Sequence, residues 1–148
     1  MVLCPDCLSL YTYKGILGQF NPDHFDAMTQ TSSASPFGPA DNGRVVDLEL
    51  ARTALQEGRI AVFDIREPFE HATGVAPGAR LLPMSQISAR LSEIPKDQPV
   101  LLVCNTQNRS RQVAEALQQI GYSQVRYVQG GMSLWTLHGW PKVPPGSV

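Results

Sequence analysis

Cys104 stands directly after the wholly apolar run Val100-Leu101-Leu102-Val103, and the polar segment Asn105-Thr106-Gln107-Asn108-Arg109 leads from it into an amphipathic stretch opening near Ser110. Such an apolar run reads as a strand covered on both faces, and the stretch after it as a helix. A thiol between a strand end and a helix start meets three groups that favour its ionised form. The helix N-terminus presents partial positive charge and unpaired N–H groups. A tight loop can turn further N–H groups inward as an anion-binding nest. Arg109 adds a permanent cation able to contact an oxyanion through two donors. The thiol pKa is therefore expected below the free value of about 8.5, which makes Cys104 the candidate nucleophile. Asn105, Thr106, Gln107, Asn108, Arg109 and Ser110 are the candidate substrate-binding residues, because groups that stabilise a thiolate also hold an anionic substrate. Backbone angles in so short a loop are expected to be unusual, and Asn105 and Asn108 enter the left-handed region most readily. The plainer alternative is a buried Cys filling space at a strand end, with Thr106, Asn108 and Ser110 as turn and cap residues.

Other residues offer weaker chemistry. Cys4-Pro5-Asp6-Cys7 has the C-x-x-C spacing of a zinc or redox pair. Structural zinc wants four ligands, and of the three histidines only His24 is near in sequence, so two thiols on a mobile terminus is an equal reading. No metal site and no cofactor is assigned. Asp64 and Arg66, at the end of an apolar run, are expected to orient neighbouring loops rather than to exchange protons. Tyr11 and Tyr13 read as core or docking surface, and His138 as a surface or packing residue.

These residues need elements to hold them. With 148 residues, one domain is the default, and about two thirds of the unfolded surface can be buried. Hydrophobic residues make up 43 % and charged residues 17 %, which excludes a wholly disordered chain, and no apolar run is long enough to span a membrane. Twelve basic residues against 13 acidic give a formal charge of −1, so no broad positive field for nucleic acid or anionic membrane exists. Three cysteines at uneven spacing do not form a disulfide framework, and the N-terminus lacks a signal-peptide pattern; both point to the cytoplasm.

Residues 29–43, rich in Pro, Gly, Ser and Thr, read as a flexible linker after an N-terminal extension over 1–28, in which Asn21-Pro22 can open a helix. Beyond the linker, strand and helix signals alternate. A helix capped by Asp47 carries Leu48, Ala51 and Leu55 on one face and closes at Gly58. Ile60–Ile65 is a strand, and a helical turn follows Pro68. Ala79–Leu82 is a short strand, and Ile87, Leu91 and Ile94 share a helix face between Ser85 and Pro95. Val100–Val103 is the central strand, followed by a helix over Ser110–Ile120 with Val113, Leu117 and Ile120 inward. Val125–Val128 is the last strand, before Gly130-Gly131 and a short helix with Leu134 and Trp135. This order predicts an α/β fold, a mainly parallel sheet with helices on both faces, over residues 44–142. The tail over 143–148 is too rich in Pro to extend it.

Within that frame the chain resembles the rhodanese family of single-domain sulfurtransferases, from about Val45 to Pro141. Asp64-Ile65-Arg66-Glu67 with Glu70 is similar to the family's strand-ending D-x-R-E and its following acidic position. Gly74-Val75-Ala76-Pro77-Gly78-Ala79 resembles G-H-I-P-G-A, with Val75 where His is usual. Cys104 to Arg109 matches a six-residue active loop, followed by Ser110. Gly130, Gly131, Trp135, Gly139 and Pro141 match the closing G-G…W…G-x-P pattern. The loop departs from the family's at Asn105, where Arg is common, and at Gln107, where Gly is common.

The resemblance implies a sulfurtransferase that moves sulfane sulfur from thiosulfate or a persulfide to a thiophilic acceptor through a Cys104 persulfide. Its implied partners are small sulfur-containing anions or persulfides and a protein sulfur donor or acceptor. Two alternatives stand beside it. A rhodanese-like binding or regulatory module would use the N-terminal extension to recruit a partner. A Cys-dependent phosphatase or arsenate reductase would need five residues between Cys and Arg, and here Ser110 holds that place.

Overall fold

The computed structural model describes residues 44–147. The expected N-terminal extension, its C-x-x-C pair, the helix start at Asn21-Pro22 and the linker over 29–43 lie outside the described residues. Five strands, β1 (Val45–Val46), β2 (Ala61–Asp64), β3 (Arg80–Leu81), β4 (Val100–Val103) and β5 (Val125–Val128), form one sheet in the order β1-β5-β4-β2-β3. Every pairing in it is parallel. Four helices connect or follow them: α1 (Leu48–Gln56), α2 (Pro68–His71), α3 (Asn108–Gln119) and α4 (Gly131–Leu137). The expected parallel α/β fold is the one observed.

Alternation along the strands divides the core into two layers, one on each face of the sheet. Val62, Leu101 and Val103 face α1 and α4, against Leu48, Ala51, Ala54, Met132 and Trp135. Phe63, Leu102 and Cys104 face the other way, with Val113, Ala114 and Leu117 of α3. Every residue of β4 is buried, because β2 and β5 flank it and helices cover both faces. Burying each such apolar side chain stabilises the fold by roughly 1.5–3 kcal/mol. The same alternation decides where the chemistry goes. Cys104, one residue past β4 and in phase with Leu102, points its sulfur toward α3.

From β2 the chain moves outward through α2 to β3, and from β4 it moves the opposite way through α3 to β5. The crevice between the carboxyl ends of β2 and β4 is therefore the switch point where ligands bind in open α/β sheets. Asp64 pairs with Val103 in register there, and Ile65 N–H donates to Val103 O at 2.9 Å.

Three expectations need correction. The apolar triplet Ile87, Leu91 and Ile94 sits on two short 3₁₀ turns, Met84–Gln86 and Leu91–Glu93, rather than on one helix. Arg90 leaves helical geometry (φ −113°, ψ 22°) as its guanidinium ties Leu81 O, Gln86 and Glu93 together, and Ile87 and Ile94 still reach the core. Ile120 points out, 55 % exposed, because α3 ends at Gln119. The tail does extend the fold: Val143 and Val75 exchange two backbone hydrogen bonds of 2.9 Å. The two-residue strand β1, paired to β5, was too short to show a period in the sequence.

Candidate active site

The α3 helix opens at Asn108, two residues before the expected start, and Gln107 in its cap position makes no side-chain cap. The sulfur of Cys104 fills that role. Sγ accepts from Gln107 N–H at 3.2 Å and from Ser110 N–H at 3.4 Å, and Ser110 Oγ lies 3.4 Å away. Cys104 is completely buried. Burial pushes its thiol pKa up, but the Ser110 hydroxyl and the N–H groups of Ser110, Gln107 and Thr106 outweigh it and hold the pKa below the ordinary value. The lowered thiol pKa expected from strand–loop–helix placement therefore has its physical cause: donors from the loop and the first turn of α3.

Ser110 has one hydroxyl proton and two acceptors, since its Oγ is also 3.1 Å from Gln107 O. While the sulfur is a thiol, that proton can rest on the carbonyl and the S–H can point at Oγ. Once the thiol proton has left, a rotation of the hydroxyl turns its O–H from the carbonyl onto Sγ.

The left-handed residue of the loop is Gln107 (φ 106°, ψ −18°), not Asn105 or Asn108. It is the one non-glycine with positive φ among the described residues. Such a conformation costs on the order of 1–3 kcal/mol and persists only where its surroundings over-determine it. Here Gln107 N–H binds the sulfur, its carbonyl accepts from Ser110 Oγ and Arg111 N–H, and its side-chain Oε1 accepts Gly130 N–H at 2.9 Å.

The α4 segment holds the loop from behind. Met132 N–H donates to Cys104 O and Ser133 N–H to Asn105 O, each at 2.8 Å. In a trans peptide the N–H points opposite to the C=O, so drawing these carbonyls toward α4 turns the N–H groups of Asn105 and Thr106 away from it. Gly131 (φ +56°) permits the close approach; a Cβ there would run into the carbonyl oxygens of Cys104 and Asn105. The sequence showed Gly130-Gly131 as a motif but not that it is the seat of the loop.

Arg109 is turned differently from its expected role. Its two terminal nitrogens donate to Glu70 at 2.7 and 2.6 Å, a bidentate pair, and Glu70 also accepts Glu67 N–H at 3.0 Å. The Arg109 guanidinium holds the Glu70 carboxyl down at about 2, and Glu70 in turn raises the Arg109 pKa. The cation beside the sulfur is thus balanced by an anion.

Glu70 stands where a buried ion pair places it. Arg66 binds Asp64 through Nε and Nη2, at 2.6–3.0 Å, and gives two further N–H groups to Glu70 O and Gly74 O. Both side chains are buried, and His71 Nε2 lies 3.4 Å from Asp64. The loop-orienting role expected of Asp64 and Arg66 is what these bonds perform. The side chains of Asn105, Thr106 and Asn108 are exposed, while Gln107, Arg109 and Ser110 are drawn inward.

Comparison with known proteins agrees with this construction. The family model for the rhodanese-like domain matches residues 47–138. A protein named sulfurtransferase from Allochromatium vinosum is 44 % identical over 86 residues, which cover 58 % of this chain and 80 % of that protein. The crystal structure of a rhodanese-related protein from Thermoplasma volcanium superposes with a TM-score of 0.57 at 28 % identity, over 68 % of this chain and 97 % of that one. A rhodanese-like domain protein from Staphylococcus aureus gives a TM-score of 0.58 at 30 % identity, over 62 % and 90 %. Fold, loop and matched length lead to one conclusion: the chain belongs to the rhodanese-like domain family.

Proposed function

We propose that this protein is a sulfurtransferase whose Cys104 carries sulfane sulfur as a persulfide. The observation that supports it most is the cradle of N–H and O–H donors around one buried sulfur. In the first half-reaction the Cys104 thiolate attacks the outer sulfur of the donor. The donor's S–S bond breaks and its electron pair leaves with sulfite or a thiolate. In the second, a nucleophilic acceptor (cyanide in an assay, a thiol in a cell) attacks the outer sulfur of the persulfide. The Cys104–sulfur bond breaks and the thiolate returns. The contacts of Gln107 N–H, Ser110 N–H and Ser110 Oγ with Sγ support the reading, since they would stabilise the Cys104 thiolate that attacks the donor and that returns when the acceptor takes the sulfur. Two half-reactions imply ping-pong kinetics.

Charge selects the donor. With Arg109 paired to Glu70 and neutral Asn105 at the loop's second position, the dianion thiosulfate meets backbone dipoles and an Arg109 fork already engaged by a carboxylate. A thiol-borne persulfide, with less charge to neutralise, loses little from that. We therefore assign a low-molecular-weight or protein persulfide as the preferred donor. Exposed Asn105, Thr106 and Asn108, together with Arg109, are the residues assigned to contact it. The phosphatase reading is disfavoured by Ser110, whose hydroxyl lies on the sulfur where that chemistry needs an arginine.

The test is donor-specific kinetics on the wild type and Asn105→Arg at two ionic strengths. Persulfides should be the better donors for the wild type. The added arginine should raise kcat/KM for thiosulfate about tenfold, mainly through KM, with the gain shrinking at high salt. A wild type that prefers thiosulfate, with no response to Asn105→Arg, would sink the donor assignment.

A further inference from the structure

Gln107 carries more of the loop than its place between two asparagines suggests. Its backbone sits at φ 106°, where a side chain is strained, yet it makes hydrogen bonds through its N–H, its carbonyl and its side-chain oxygen. The first of these reaches the sulfur, and the last reaches Gly130 N–H, at the start of α4. The carbonyls of Cys104 and Asn105 are anchored on the same short stretch by Met132 N–H and Ser133 N–H. Three ties thus join the loop to α4, and Gln107 supplies the one made by a side chain.

We infer that Gln107 is a positioning residue: its side-chain oxygen, by taking the Gly130 N–H, holds the backbone of the sulfur-binding loop in a conformation a residue with a Cβ would otherwise leave. Two physical effects then oppose each other at one position. Strain pushes the peptide before Gln107 out of the orientation that aims its N–H at Sγ. The bond to Gly130, half-buried and reinforced by the neighbouring ties, holds it there.

Two substitutions separate these effects. Gln107→Ala keeps the strain and removes the tie. Gln107→Gly removes both, since glycine adopts φ 106° without a steric penalty. The readout is the pH dependence of Cys104 alkylation by iodoacetamide, read at its midpoint, alongside hydrogen exchange of the Gly130 amide. Ionisation does not depend on sulfur transfer, so failure here is distinct from failure of the persulfide assignment. Gln107→Ala should move the midpoint upward and slow alkylation at neutral pH roughly fivefold, the worth of one hydrogen bond. Gln107→Gly should return the midpoint to near the wild-type value, while Gly130 exchanges faster than wild type in both variants. The inference is overturned if Gln107→Ala keeps the wild-type midpoint and Gly130 protection, or if Gln107→Gly shifts the midpoint as far as Gln107→Ala does.

Discussion

The carboxyl ends of β2 and β4 lie side by side, and the segments that follow them are built from opposite materials. After β4, Cys104–Ser110 surrounds a sulfur with peptide N–H groups and one hydroxyl, all uncharged. After β2, Asp64–Glu70 is held by full charges: Asp64 on Arg66 in the interior, and Glu70 on Arg109 at the surface of the crevice. The second arrangement consumes its own charge. Both pairs therefore place ionised groups near the carboxyl ends of β2 and β4 with each positive charge matched by a negative one. In that setting, peptide dipoles and a helix start decide what the sulfur does.

The sharpest way to break the comparison is to damage the ionic side. Arg66→Met would leave Asp64 charged, buried and without its partner, which costs roughly 3–5 kcal/mol. Asp64→Asn combined with Arg66→Met should cost less than Arg66→Met alone, because no uncompensated charge remains. Urea denaturation of the three proteins measures this. A single variant no worse than the double would mean that the buried charge is not what holds the segment.

On the dipolar side, Ser110→Ala removes the hydroxyl facing the sulfur while leaving the Ser110 N–H. Hydrogen bonds to charged groups are worth about 1.5–3 kcal/mol, so alkylation of Cys104 at neutral pH should slow about ten- to a hundredfold, with its pH midpoint raised. Unchanged reactivity would remove Ser110 from the cradle.

The link between the two sides is the Glu70–Arg109 pair, and its effect on the sulfur should be smaller. Arg109→Ala exposes the thiolate to an unpaired Glu70 carboxylate, whereas Arg109→Ala with Glu70→Gln restores neutrality. The single variant should lower reactivity about threefold to tenfold, and the double should recover most of it, a coupling readable from a double-mutant cycle. The pair also sets a pH dependence. The carboxyl of Glu70 lies near 4.5 when free and about 2 when folded, so its stabilisation is complete above about 4.5 and disappears as pH falls toward about 2. Glu70→Gln should flatten that part of the acid-unfolding curve.

The same contrast explains what could be read in the sequence. Local pattern was enough for the alternating strands and helices, for Asp47 capping α1 through Glu49 N–H at 2.8 Å, and for a cysteine at the switch point. Pattern failed where distant residues decide. Glu70 and Arg109 are far apart in the chain, and nothing local says that the arginine's fork is already taken. Asn105 and Asn108 have the better intrinsic left-handed preference, yet Gln107 adopts that conformation, because its N–H must reach Sγ and its side chain must reach Gly130. The helix expected over Ile87–Ile94 gave way to two turns for a similar reason. Arg90 binds Leu81 O and Glu93 at once, a constraint stronger than the period of the apolar residues.

The central claim is that sulfur travels on Cys104, and intact-protein mass measures it without reference to any rate. Incubation with a low-molecular-weight persulfide should add the mass of one sulfur atom to the wild type. Cyanide should then remove that sulfur, with thiocyanate appearing in the same amount. Cys104→Ser, with Cys4 and Cys7 still present, should gain nothing and release nothing. A wild type that never takes up cyanide-labile sulfur, or a Cys104→Ser protein that takes it up as fully as the wild type, would contradict the account.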